Sequence, residues 1–232
     1  GLYGLNYQRS FTEQASGAQI MDEEHVRALY AQLSWSAVQA RVARSASAML
    51  VQGVNALGAG MDRRTNFGVQ AVPNPAKASF WRLAFDAGQR NSFANHWGTA
   101  VSLGGQYSPD ILPVAERISF GSSRFGRGYQ AGEATGDSGL GAALEFNYSW
   151  GMQQKWLQQV QPYVLYEAAK TWQQQQGLAS ANLRSASVGV RLQDNRYYSA
   201  DFALSKPLGD PAFNNPERRL RLSILLTYQL DI

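Results

Sequence analysis

A period of two runs through this chain and restricts its fold more than any other feature. Leu29, Ala31, Leu33 and Trp35 alternate with Tyr30, Gln32 and Ser34, and Trp81, Leu83 and Phe85 alternate with Arg82, Ala84 and Asp86. The same spacing relates Trp97, Val101, Leu103 and Tyr107, then Leu144, Phe146, Tyr148 and Trp150, then Ala186, Val188, Val190 and Leu192. Tyr3, Leu5 and Tyr7 begin the chain in this way, and Leu222, Ile224, Leu226, Tyr228, Leu230 and Ile232 end it so. Side chains two apart point to the same face of a strand, so each stretch reads as a strand with two unlike faces. With the stretches near 163–172 and 198–205, the pattern predicts about ten strands. Pro73-Asn74-Pro75, Asp194-Asn195 and the segment from Pro207 to Pro216 supply turn chemistry between them. Ser36–Ala48 is rich enough in Ala and Arg for a helix, but both its flanks alternate, and we read it as strand–turn–strand. The Gln-rich runs 153–159 and 173–176 read as solvated loops.

Composition decides what the two faces meet. Charged residues make up 16% of the chain, aromatics 12%, and there are 22 glycines and no cysteine. The absence of cysteine excludes a disulfide scaffold, a thiol nucleophile and a Cys-based zinc site. No apolar run reaches the length of a membrane helix. The polar face of the alternation is built from Gly, Ser, Ala, Asn and Gln, where a soluble sheet would show Lys and Glu. Trp35, Trp81, Trp97, Tyr107, Trp150 and Trp172 gather towards strand ends. Small polar residues towards a lumen, apolar residues towards lipid and aromatics at both interfaces are the pattern of a transmembrane antiparallel β-barrel, an all-β fold. In lipid only helices and closed barrels satisfy their backbone polar groups. The mean hydropathy of −0.33 is then the average over two faces. The net charge of +4 comes from scattered basic residues with no stripe, which excludes nucleic acid as a partner. The basic patch Arg218, Arg219 and Arg221 reads as a membrane-interface or lumen edge. Asp22-Glu23-Glu24-His25 reads as a solvated acidic run, not a metal site.

One connection is too long for a hairpin. Residues 108–140 hold Phe125-Gly126-Arg127-Gly128-Tyr129, followed by Gly132-Glu133 and Gly136-Asp137-Ser138-Gly139. This resembles the sixth-loop signature of two-partner secretion transporters, the ShlB/FhaC/HecB type of hemolysin secretion and activation proteins, with its "VRGY…SGDSG" run. Two more blocks agree in order. Residues 52–59 (QGVNALGA) are similar to the family's "QGLDALGA", and residues 160–172 (VQPYVLYEAAKTW) to its "PYxFYDAGxVW" strand. The chain departs from the pattern at Gly126, which replaces Val, at Ser122 and Ser123, and at Glu167 and Ala169, which replace Asp and Gly.

The resemblance implies a barrel of about sixteen strands, of which residues 1–232 form the C-terminal part, with the periplasmic POTRA domains outside this chain. A start at Gly1 with neither Met nor signal sequence agrees with a portion of a longer protein. The last strand resembles a signal read by the barrel-assembly machinery, with Ile232 in place of the usual aromatic. The resemblance further implies that the long loop folds into the lumen, carrying Gly126, Arg127, Gly128, Tyr129 and Asp137, and that Arg127 meets Glu167 on the inner wall. It implies a transporter in the bacterial outer membrane that secretes and activates a hemolysin- or adhesin-type exoprotein, with lipid around it and without ATP, cofactor, metal or catalysis. Alternatives are an insertion factor of the same superfamily, a passive porin, or a barrel hydrolase using Ser138. The last rests on a protease-like Gly-Asp-Ser-Gly run, but only His25 and His96 could serve as base, and Leu140 breaks the run.

Overall fold

The computed structural model describes residues 1–5, 9–13, 19–65, 73–154, 156–194 and 197–229. The strands are β1 (Leu2–Leu5), β2 (Arg9–Glu13), β3 (Gln19–Gln39), β4 (Val42–Gly53), β5 (Gly60–Thr65), β6 (Trp81–Ser92), β7 (Trp97–Tyr107) and β8 (Ile118–Phe120). They continue as β9 (Ala134–Gly136), β10 (Ser138–Tyr148), β11 (Trp150–Gln154), β12 (Leu157–Trp172), β13 (Ala181–Gln193), β14 (Tyr198–Pro207) and β15 (Arg221–Tyr228). One antiparallel sheet runs in the order β1-β3-β4-β6-β7-β10-β12-β13-β14-β15, and β8 and β9 pair separately. The sheet is open: β1 and β15 are its ends. It is part of a barrel wall.

The alternating stretches lie in these strands, except Tyr7, Leu230 and Ile232, which fall outside the described residues. Ser36–Ala48 is the hairpin between β3 and β4, turning at Ala40-Arg41. The run 153–159 corrects the expectation of a loop. Gln154 pairs with Leu157, and Gln159 pairs with Gln193, so most of the run is ladder. Glutamine suits an inward face as well as it suits a loop, and period two does not separate the cases. Asp22–His25 likewise lies within β3, paired to β5, and no metal-binding group of acids and histidines occurs among the described residues.

Burial is inverted relative to a soluble sheet. Leu103, Val164, Val188 and Leu222 are exposed on the outer face, while the buried clusters lie inside. Ile118, Phe120, Phe125, Tyr129 and Ala134 of the long loop pack against Ala169 and Leu183 of the wall. Trp97 stacks edge-on against Tyr148 at one end of the strands, and Trp81 against Tyr107 at the other. From Trp97 to Tyr107 a strand rises about 34 Å. Tilted at about 40°, it spans about 26 Å, the height of a lipid-facing band.

The connections are unequal. At the Trp97 end they are short, residues 40–41, 93–96, 155–156 and 194–197. At the Tyr107 end they run over residues 54–80, 108–137, 173–180 and 208–220.

Candidate functional site

The long loop is tied at its base and seated at its tip. At the base, the Ser108 N–H donates to Ser138 Oγ at 3.0 Å, and that hydroxyl donates back to the Ser108 carbonyl at 3.1 Å. Asp137, fully buried, accepts from the Leu112 N–H at 2.9 Å and the Gln174 N–H at 2.8 Å, and lies 3.4 Å from Arg117 Nε. One carboxylate therefore joins the first residues of the loop to the β12–β13 connection. Gln106 donates to the Glu116 and Asp137 carbonyls, and Arg82 pairs with Glu116 at 2.8 Å. Leu112 packs with Val26 on β3, Val51 on β4 and Phe80 just before β6, which brace the base from the other side.

The tip depends on the absence of side chains. Gly126 adopts φ 154°, a region that disfavours L side chains. At Gly128 a Cβ would stand 2.9 Å from Pro207 N and 3.1 Å from the Lys206 carbonyl carbon, so this backbone lies directly on β14. Between the two glycines, the main-chain N–H of Arg127 donates to Glu167 Oε2 at 2.7 Å. The same oxygen accepts from Ser185 Oγ at 2.9 Å. The guanidinium continues past Glu167: Nη1 pairs with Asp201 Oδ2 at 3.2 Å and donates to the Tyr163 hydroxyl. The expected pairing is thus redistributed. Glu167 meets Arg127 through the backbone, and Asp201 on β14 is the ionic partner.

Arg191 completes the cluster. Its two terminal nitrogens hold Glu145 at 2.6 and 2.7 Å, its Nε lies 3.4 Å from Asp201, and its guanidinium carbon sits 4.2 Å from the Tyr163 ring centroid. Tyr163 Oη donates to Asp201 Oδ1 at 2.6 Å. The ring lies against Gly189, where a Cβ would come within 2.4 Å of it. Tyr129 is buried; its hydroxyl accepts from the Gly209 N–H at 2.9 Å, and its carbonyl accepts from Arg221. Burial raises the Tyr129 phenol above its ordinary pKa, so it stays neutral. Arg221 thereby proves to be a lumen-edge residue.

Of the residues named from the sequence, Gly126, Arg127, Gly128, Tyr129 and Glu167 meet at the tip, and Asp137 holds the base. Asp201, Arg191, Glu145 and Tyr163 were missed, although a signal existed. Each is an ionisable residue on the inward phase of a strand whose other inward residues are mostly small or neutral. Ser138 lies at the opposite end of β10 from His96: Gly139 pairs with Gln106 and Tyr148 with Trp97, which separates them by about 34 Å along the strand. With its hydroxyl bound to the Ser108 main chain, Ser138 has no His96 beside it.

A family model for the haemolysin secretion/activation protein ShlB/FhaC/HecB matches residues 5–192. The chain belongs to the ShlB/FhaC/HecB family. Two solved structures are similar to this ShlB-type chain. CdiB from Escherichia coli matches with TM-score 0.67 and 15% identity over 90% of this chain and 41% of that one. CdiB from Acinetobacter baumannii matches with TM-score 0.51 and 14% identity over 94% and 46%. The ShlB-type chain thus spans less than half the length of either, and at these identities the likeness shows the fold. No curated protein matched the chain.

Proposed function

We propose that the protein containing this chain is an outer-membrane transporter of two-partner secretion, which passes one partner exoprotein of hemolysin or adhesin type through its lumen. The observation that carries this reading is the seated loop: Arg127 held by Asp201, Tyr163 and, through its main chain, Glu167. A loop anchored by a cluster of ion pairs and hydrogen bonds to the inner wall sets the free cross-section and the charge of the passage. Ion pairs in a part-hydrated lumen exchange with water at modest cost, which lets the loop's position respond to a chain in transit. The inward-facing Gly, Ser and Ala residues offer few strong contacts that would trap an unfolded polypeptide. Folding of the cargo outside supplies direction without ATP. The short connections at the Trp97 end and the long ones at the Tyr107 end support a periplasmic and an extracellular side respectively.

The test is the Arg127→Ala variant in the full-length protein, read as exoprotein in the medium and as transporter in the outer membrane. The expected outcome is a normally inserted barrel that no longer secretes. Undiminished secretion overturns the mechanism. A general failure of outer-membrane protein assembly points instead to an insertion factor.

A further inference from the structure

The outer face of the wall carries a charge pattern that transport through the lumen does not use. Paired residues of an antiparallel ladder share a face, so register assigns the paired positions of β6, β7, β10, β12, β13, β14 and β15 to one side. The acids Asp86, Glu145, Glu167 and Asp201 all fall on the inward phase. The outward phase from β6 to β15 holds three charged residues: Lys170 on β12, Arg184 on β13 and Lys206 on β14. All three are basic and occupy successive strands. Arg184 faces Ala168, two residues from Lys170, and Lys206 faces Ala186, two residues from Arg184. The cations therefore form a diagonal with about 7–8 Å per step.

All three lie at the Tyr107 end of the strands, where the long connections are. Arg184 and Lys206 are exposed, and no ion pair engages any of the three among the described residues; Lys170 Nζ sits 5.5 Å over the Trp172 ring. Towards the middle of the wall, Leu144, Val164, Tyr166, Val188 and Leu204 line an apolar groove, together with Lys206 and with Leu220 of the β14–β15 connection. A lone basic residue at a membrane interface only snorkels towards water. Three cations on adjacent strands, at one rim, with no acid on the outward phase of β6 to β15 and an acyl-sized groove beside them, make a directed arrangement.

We infer that Lys170, Arg184 and Lys206 form a head-group site for a phosphorylated glycolipid of the outer leaflet, whose acyl chains lie in the groove below. The proposal rests on the outer-membrane reading above, which places the long-connection end outside. Two phosphates spaced along a disaccharide match a row of cations better than the single phosphate of a glycerophospholipid. Guanidinium and ammonium donors bind phosphate oxygens by charge-assisted hydrogen bonds. Seated there, the lipid fixes the rim beside Gly128, whose backbone rests on Lys206 and Pro207.

The test uses the full-length transporter purified in detergent, titrated with bis-phosphorylated lipid A, with its dephosphorylated form and with phosphatidylglycerol. Bound lipid is read by native mass spectrometry. Lipid A should be retained, the other two released, and the Lys170→Gln/Arg184→Gln/Lys206→Gln triple variant should bind lipid A about a hundredfold more weakly. Arg44→Gln, which removes an outward cation at the opposite rim, should bind as the wild type does. Equal retention by the triple variant, or equal binding of all three lipids, overturns the proposal. Membrane fractionation and exoprotein secretion, measured separately, test the transporter reading without reference to the lipid.

Discussion

Arg127 passes Glu167 and reaches Asp201 because its two neighbours are glycines. Gly126 at φ 154° turns the main chain against the wall, and Gly128 lets it touch Pro207, which aims the Arg127 N–H at Glu167 and carries the guanidinium over to β14. The two carboxylates therefore differ in what a substitution removes. Asp201→Asn takes away the charge shared by Arg127 and Arg191 and should shift the seated loop by about 2 kcal/mol, roughly thirtyfold in population. Glu167→Gln keeps an acceptor for the Arg127 N–H and for Ser185 and should cost less than about 1 kcal/mol. Tryptic cleavage after Arg127 measures both: fast in Asp201→Asn, near wild type in Glu167→Gln. The reverse order would return the ionic role to Glu167. The Arg-Gly-Tyr motif was legible as residues. Its partner was not, because the strands from β6 to β15 offer four inward carboxylates and only the path of the chain selects among them.

As an element, the long loop is a small folded unit whose core is shared with the wall. Phe125 enters a slot cut by Gly104 on β7 and Gly141 on β10; a Cβ at Gly141 would stand 2.4 Å from its ring. Gly141→Val should expel Phe125 and lose about 2–3 kcal/mol of apolar burial, so trypsin should cut after Arg124 and Arg127 while the barrel stays inserted. Protection equal to wild type would mean that the loop repacks without its phenylalanine. In the sequence these wall glycines are indistinguishable from lumen residues that are merely small. The loop's length and the Asp137-Ser138 run marked it as special, but the pairing of Ser138 with Ser108 and of Asp137 with Leu112 and Gln174 depends on which strands lie side by side. The Gln-rich hairpin of β11 and β12 was misread for a related reason: polarity without apolar alternation carries no strand signal, whereas pairing to β13 supplies one.

At the scale of the whole molecule, the sheet has two uncovered edges among the described residues, and lipid tolerates none. Amides of β12, held between β10 and β13, should exchange slowly in the detergent-solubilised chain of residues 1–232, whereas β15, paired to β14 alone, should leave one row open. Hydrogen exchange resolved by strand checks this, and uniform protection along β15 would show that another strand covers it. Alternation by itself marked most of the strands and their two unlike faces, because a period of two is a local property of backbone geometry, and composition added the barrel class. It also set the direction of burial once the polar face proved too weakly charged for water. Which inward residues meet was decided only by the tertiary structure. Asp201 and Arg127 are 74 positions apart in the chain, and no local pattern connects them. The row of Lys170, Arg184 and Lys206 has the same origin: three isolated cations in the sequence become one outward cluster because antiparallel register places them on neighbouring strands.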